Sequence, residues 1–236
     1  MRVARTAGVI YLCFVVIGVL GFLVVRPQVV VVGDPAATLT AMRSAELLAG
    51  VSVTLELGIV LAQALTALWL FRLVHSVSSV MASAVLAFGM VNAVMILVSA
   101  AMLTTMRTAA LRPSLGAQAE TIVGAATSVS ESLWAVCALF FGLWLIPLGL
   151  LVLRSGWTPP ALGWLLVTGG LGYTLSAFAA ALLPEQTVLS EALRLPNNVG
   201  EFWLAGYLVI WELVLGYGGR PMSQSMVSIR RSDALG

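Results

Sequence analysis

Several carboxylate side chains lie inside long apolar stretches of this 236-residue sequence, and these residues could do chemistry. No Lys, Arg or His lies deep within the same stretches to neutralise them. An ionisable group in an apolar medium is energetically costly, so each is a functional candidate by default. The candidates for binding a ligand, a proton or a cation are Glu56, Gln63, Asn92, Glu131, Glu201 and Glu212.

Glu56 is the most informative of these candidates because it lies near the middle of its apolar stretch. Gln63 follows seven residues later and therefore shares its helix face. With no basic partner nearby, we expect Glu56 to be protonated at neutral pH and to hydrogen-bond to a neighbour such as Asn92 or Gln63. The pair then either binds a proton, a cation or a polar ligand, or joins neighbouring helices as structural hydrogen bonds.

Three further glutamates have two interpretations each. Ser128-x-x-Glu131 and Asn198-x-x-Glu201 resemble capping boxes at helix starts, which we favour over a role in a binding cavity. Glu212 follows Glu201 by eleven residues, which places it on the same helix face about 16 Å deeper. It lines the same interior path or lies near the inner headgroups, and we favour the second.

Other kinds of chemistry have little support in the sequence. His75 is the only histidine and lies in a predicted loop, which excludes a haem with two histidine ligands and a histidine-rich zinc site. Cys13 and Cys137 both fall in apolar stretches and are interpreted as packing thiols. No GxSxG motif occurs. We therefore predict no catalytic residues, no metal and no cofactor, and the small net charge of +2 gives no support for nucleic-acid binding.

The elements that must position the carboxylates are membrane helices. The chain is 60% hydrophobic and only 9% charged, whereas soluble domains carry about 25% charged residues. In lipid every backbone N–H and C=O group needs an internal partner, so apolar spans of this length are helical. The sequence predicts an all-α integral membrane protein, a six-transmembrane-helix bundle over residues 1–218. The predicted helices cover about 8–25, 47–71, 80–106, 129–153, 161–183 and 198–217.

Other segments connect or follow these helices. Residues 26–46 form a short extracytoplasmic segment with a predicted helix over PAATLTAMRSAE, and residues 107–128 form a polar connection. Residues 219–236 are predicted to be a disordered cytoplasmic tail.

In the fourth and fifth helices small residues fall on single faces, which lets membrane helices approach closely. These stripes comprise Ala135, Ala138, Gly142 and Gly149, and Gly163, Gly170, Thr174, Ala177 and Ala181.

Four segments together resemble a known family. They are ARTAGVIYL at 4–12, VVGDPAAT at 31–38, FFGLWLIPLGLLVLRSGWTPPALGWLLVTGGLGY at 140–173, and PNNVGEFWLAGYLVIWELVLG at 196–216. They are similar to the signature of the bacterial membrane family called domain of unknown function 4386. The resemblance implies six membrane helices and carries over no established activity or catalytic residue.

Six helices place both termini on one side of the membrane. With both termini cytoplasmic, the inner side holds seven arginines and the outer side five, a bias in the direction of the positive-inside rule. We therefore expect a multi-pass plasma-membrane protein with cytoplasmic termini.

Three functional classes fit these features. We favour a non-enzymatic accessory, sensory or scaffold membrane protein. The alternative is a small proton- or cation-coupled transporter that uses Glu56 and the other intramembrane carboxylates. A lipid-modifying membrane enzyme is the least favoured. The expected partners are membrane lipids and either further copies of the chain or a partner membrane protein, with no nucleic acid.

Overall fold

The computed structural model describes residues 2–156, 158–183 and 187–215, with the side chains of all of these except 2, 187, 191, 195–198 and 211–215. Within these residues the chain forms helices and turns and no strand, so the all-α prediction is confirmed. The α-helices are α1 Arg2–Val19, α2 Pro35–Ser44, α3 Glu46–Val74, α4 Ser79–Ala110, α5 Gln118–Ser155, α6 Pro160–Leu182 and α7 Thr187–Leu215.

The first helix does not end where its apolar run ends. α1 continues through a π-helical turn, Leu20–Val25, into a short 3-10 turn, Arg26–Gln28. Side chains on a helix lean toward its N-terminus. The helical path through Arg26 therefore directs its long side chain back along the helix. This explains how an arginine at the end of an apolar run reaches a carboxylate within another one.

The predicted short helix after α1 is confirmed as α2. Gly33 adopts a left-handed conformation, with φ of +76°, which a residue without a Cβ does readily. Asp34 then caps the helix, because its Oδ1 accepts a hydrogen bond of 2.8 Å from the Ala37 N–H. Pro35 occupies the first turn, where no N–H donor is needed.

The connection between α4 and α5 is shorter than the sequence predicts. α4 extends to Ala110 and α5 already begins at Gln118, so much of 107–128 is helical. Polar residues do not stop a helix, whereas a proline and a glycine do. Pro113 forces extended backbone on Arg112, and Gly116 takes a φ of +50°.

Five helical stretches of the described residues are long and apolar enough to cross a membrane, which indicates a multi-pass membrane protein. They are Val3–Gln28, Glu46–Val74, Ser79–Ala110, Gln118–Ser155 and Pro160–Leu182. The predicted sixth span falls on α7, which begins at Thr187 rather than near 198. The end of that span and the tail at 219–236 lie outside the described residues, so the count of six remains a prediction.

The helices contribute to two compact units. One contains the described residues within Met1–Cys13, Ala64–Val91 and Ala138–Gly236. In this unit α5 and α6 pack backbone to backbone: a Cβ added at Gly149 would lie 2.8 Å from the Gly163 carbonyl oxygen, and one at Gly170 would lie 2.9 Å from that of Gly142. The prediction that these glycines face protein is confirmed, whereas Ala181 at the end of the stripe is exposed.

The other unit comprises Phe14–Gln63 and Asn92–Cys137. Its apolar core joins the segment after α1, α2, the start of α3, the end of α4 and the start of α5. Met42, Leu103 and Met106 are fully buried in this core. The same unit contains Glu56, the candidate residue that the sequence analysis ranks first.

A candidate polar site around Glu56

Five residues from four helical segments form a connected polar cluster around Glu56, which we call the Arg26–Glu56 network. Glu56 comes from α3 and Ser99 from α4, while Ser130 and Trp134 lie one turn apart on the same face of α5. Arg26 comes from the 3-10 turn that continues α1. The packing of these four segments brings the five side chains together.

The network is a closed ring of hydrogen bonds. Arg26 Nη1 lies 3.1 Å from Glu56 Oε2, and Arg26 Nη2 donates to Ser130 Oγ at 2.8 Å. The hydroxyl groups of Ser130 and Ser99 are 2.8 Å apart, and Ser99 donates to Glu56 Oε1 at 2.6 Å. The Trp134 indole N–H also donates to Ser99 Oγ, at 2.9 Å.

The donor inventory sets the direction of every bond in the ring. Ser99 has one hydroxyl proton, and it gives that proton to Glu56. Ser130 must therefore donate to Ser99, and its own oxygen accepts from Arg26. Both carboxylate oxygens of Glu56 accept, as an ionised group does. Each hydroxyl in the network consequently has both a donor and an acceptor role filled.

The charges in this network are almost fully removed from solvent. The side chain of Glu56 is 4% exposed and that of Arg26 is 14% exposed. Phe22 lies under the guanidinium, with its ring centroid 5.6 Å from Cζ, and contacts Trp134 edge to face. The prediction that no basic side chain reaches Glu56 is wrong, and so is the prediction that its partner is Asn92 or Gln63.

The side chains of Gln63 and Asn92 are buried, but neither is hydrogen-bonded to Glu56. Gln63 is fully buried, and neither its oxygen nor its nitrogen has a hydrogen-bond partner among the described residues. Asn92 Oδ1 accepts a hydrogen bond from the Cys137 thiol, while Asn92 Nδ2 has no hydrogen-bond partner among the residues that the structure describes. Shared helix face alone did not bring Glu56 and Gln63 together.

Glu131 is exposed and makes no ion pair or hydrogen bond with any described residue. The capping-box interpretation of Ser128–Glu131 is wrong, because α5 begins at Gln118 and both residues lie inside it. Ser128 instead donates to the Gly124 carbonyl oxygen one turn earlier.

Glu201 is buried in the other unit, where the Tyr11 hydroxyl donates to its Oε1 at 2.8 Å. Tyr11 is itself fully buried and contacts Trp144 edge to face. The capping-box interpretation fails here too, because α7 is already helical from Thr187. The side chain of Glu212, the last candidate, lies outside the described residues.

Sequence reasoning linked none of the other residues of these two sites to a buried carboxylate; these are Arg26, Ser99, Ser130, Trp134 and Tyr11. The prediction ends the first helix at residue 25, just before Arg26. A usable signal was that a long arginine side chain at the end of an apolar helix leans back along that helix. Ser130 and Trp134 share a helix face, but residues four positions apart do so throughout every helix, so their spacing points to no particular partner. Nothing in the sequence pairs Tyr11 with Glu201.

The arrangement can hold one buried charge pair and orient two hydroxyl groups. Among the described residues there is no group of three or more His, Cys, Asp or Glu side chains placed to hold a metal ion. The carboxylates of Glu56 and Glu201 are both bound by donors of the chain itself.

The comparisons with known proteins identify a family for the chain. The family model described as Domain of unknown function (DUF4386) matches residues 6–211. Neither the curated proteins nor the solved structures contain a match.

Proposed function

Because the chain belongs to the DUF4386 family, whose description states no activity, we propose its function from the geometry of the polar site. It acts as a non-enzymatic accessory, sensory or scaffold protein of the membrane. In this proposal the buried polar residues fix how the helices pack. The helices then present a stable surface to other membrane components.

One observation carries this proposal: the Arg26–Glu56 network is complete without a ligand. Both oxygens of Glu56 are occupied by donors of the chain, and the hydroxyls of Ser99 and Ser130 are each used as donor and acceptor. A site built to bind a substrate leaves convergent polar groups for it. A closed ring instead gives a specific register between four helical segments, the role for which buried polar groups are best known.

Proton or cation flux distinguishes this role from transport. The full chain is reconstituted into liposomes containing a pH-sensitive dye, and flux is measured under an imposed pH or sodium gradient. Glu120→Gln, which removes an exposed carboxylate outside the candidate set, is the matched control. We expect the wild type, the control and Arg26→Met/Glu56→Met to give the same rate as protein-free liposomes. A flux that the control retains and the double variant loses would refute the proposal.

A proton- or cation-coupled transporter is the second candidate. It is favoured by the burial of two carboxylates, Glu56 and Glu201, each held by a single set of protein donors. Charged residues that pair with one another inside a membrane often mark ion pathways and proton relays. The flux experiment above decides between the two candidates, because only the transporter requires Glu56 for a measured rate.

We propose six spans in a bacterial plasma membrane, with both termini cytoplasmic. The support is the arginine bias and the apolar length of the helices. Single cysteines at positions 33 and 76, introduced after Cys13 and Cys137 are replaced by alanine, test this orientation. In intact cells a membrane-impermeant maleimide should label position 33 and leave position 76 unlabelled. The reverse pattern, or labelling of both, would overturn the orientation.

The proposed partners are membrane lipids and either further copies of the chain or a second membrane protein. Many large apolar side chains are exposed, including Leu23, Leu47, Val80 and Leu182. In a membrane such faces contact lipid tails or other helices. Crosslinking in native membranes followed by mass measurement would distinguish a homo-oligomer from a complex with another protein.

A further inference from the structure

A groove between the start of α3 and the end of α4 has the polarity of a phospholipid. It encloses about 710 Å³, a volume within the usual range for small-molecule sites. Its walls are formed by Glu46, Leu47, Gly50, Val51, Val53, Thr54, Thr104 and Arg107. None of these belongs to the Arg26–Glu56 network.

The two charged residues of the groove lie together at one end. Glu46 begins α3, and Arg107 lies in the last turn of α4. Arg107 Nη2 is 3.5 Å from Glu46 Oε1, and the two side chains are 36% and 62% exposed. This is a long and open contact, so both charges are accessible to a ligand. The Arg107 Nε–H also has no acceptor among the described residues.

The other end of the groove carries no charge. From Glu46 to Thr54 the α3 wall extends about 12 Å along the helix axis. The hydroxyls of Thr54 and Thr104 donate to carbonyl oxygens of their own helices, at 3.0 and 2.8 Å. The remaining wall is apolar and consists of Leu47, Gly50, Val51 and Val53, which suits an acyl chain.

Gly50 keeps the groove open beside the guanidinium. A Cβ built at Gly50 would lie 3.7 Å from Arg107 Nε and 3.8 Å from Nη2. The cation thus lies directly against the helix backbone of α3. A larger side chain at position 50 would occupy the space between the charged end and the apolar end.

We propose that this groove binds a membrane phospholipid with a phosphoethanolamine headgroup. Its phosphate accepts hydrogen bonds from Arg107, and its primary ammonium donates to Glu46. A choline headgroup has no N–H to donate to Glu46. A phosphatidylglycerol headgroup carries no cation and places its anion near that carboxylate. The acyl chains lie along Gly50 and Val51 toward the apolar end.

Competition between lipids tests the proposal on the purified full chain in detergent. Native mass spectrometry measures the occupancy of phosphatidylethanolamine, phosphatidylcholine and phosphatidylglycerol of identical chain length. We expect phosphatidylethanolamine to bind about tenfold more tightly than either other lipid, the value of one charge-assisted hydrogen bond. Equal binding of phosphatidylethanolamine and phosphatidylcholine, or preference for phosphatidylglycerol, would overturn the proposal.

Variants assign the preference to this groove. Glu46→Gln should change the preference from phosphatidylethanolamine to phosphatidylglycerol, because Arg107 is then free for an anionic headgroup. Gly50→Leu should lower the occupancy of all three lipids. Arg112→Gln and Glu120→Gln remove the same charges from exposed positions outside the groove, so they should behave as wild type. A wild-type preference in Glu46→Gln, or wild-type occupancy in Gly50→Leu, would place the lipid elsewhere and refute the site.

Discussion

Replacing Glu56 by glutamine should destabilise the protein substantially, although the side chains have nearly the same shape. Glu56 accepts hydrogen bonds at both oxygens, from Arg26 and from Ser99. An amide has only one oxygen, so its NH2 group would face one of these two donors. Ser99 cannot become the acceptor, because its oxygen already accepts from Ser130 and Trp134.

The expected loss follows from the burial of the pair. Breaking a buried ion pair by removing one partner costs about 3–5 kcal/mol. We expect about 3 kcal/mol for Glu56→Gln, the low end of that range, because Arg26 retains 14% exposure and some access to water. The matched control is Glu46→Gln, which breaks the exposed contact with Arg107 and should cost less than about 1 kcal/mol.

A double-mutant cycle separates the ion pair from other effects. Arg26→Met and Glu56→Met are made singly and together, and unfolding in mixed detergent–SDS micelles is followed by tryptophan fluorescence. The double variant should lose about 2 kcal/mol less than the sum of the single variants, because neither partner is left as an isolated buried charge. Additive losses, or a Glu56→Gln variant as stable as wild type, would refute the network.

Three further substitutions probe the helix contacts. Gly142→Leu should cost about 1–3 kcal/mol in the same unfolding assay by overpacking against α6. Gly18→Leu, at a position with open space around it, should leave the stability unchanged. Equal losses of stability in the two variants would argue against the close contact of Gly142 with α6. Tyr11→Phe should cost about 1–3 kcal/mol because the buried carboxyl of Glu201 loses the hydrogen bond from the Tyr11 hydroxyl. An unchanged unfolding transition would argue against that bond. Asp34→Ala should cost about 1 kcal/mol through the lost cap of α2, with Asp34→Asn retaining most of the stability.

Composition and apolar periodicity were sufficient to predict the class of fold. Long apolar runs must be helical in lipid because no other local structure pairs all backbone groups within one segment. The spacing of glycines in α5 and α6 also predicted that these faces contact protein, because a glycine stripe on a helix is a local property of the sequence. The family resemblance rested on four segments spread along the chain and is confirmed over residues 6–211.

Tertiary structure alone decided which polar residues meet. Arg26 lies 30 positions before Glu56 and 104 positions before Ser130. Whether they touch depends on the rotation and depth of each helix, which hydrophobic periodicity leaves undetermined in an evenly apolar helix. The sequence placed Glu56 correctly inside a span but not its partner, because an arginine at a helix end reaches inward only where neighbouring helices offer acceptors. The sequence therefore determines that a carboxylate lies in an apolar helix, whereas the packing of the surrounding helices determines whether it has an ionic partner.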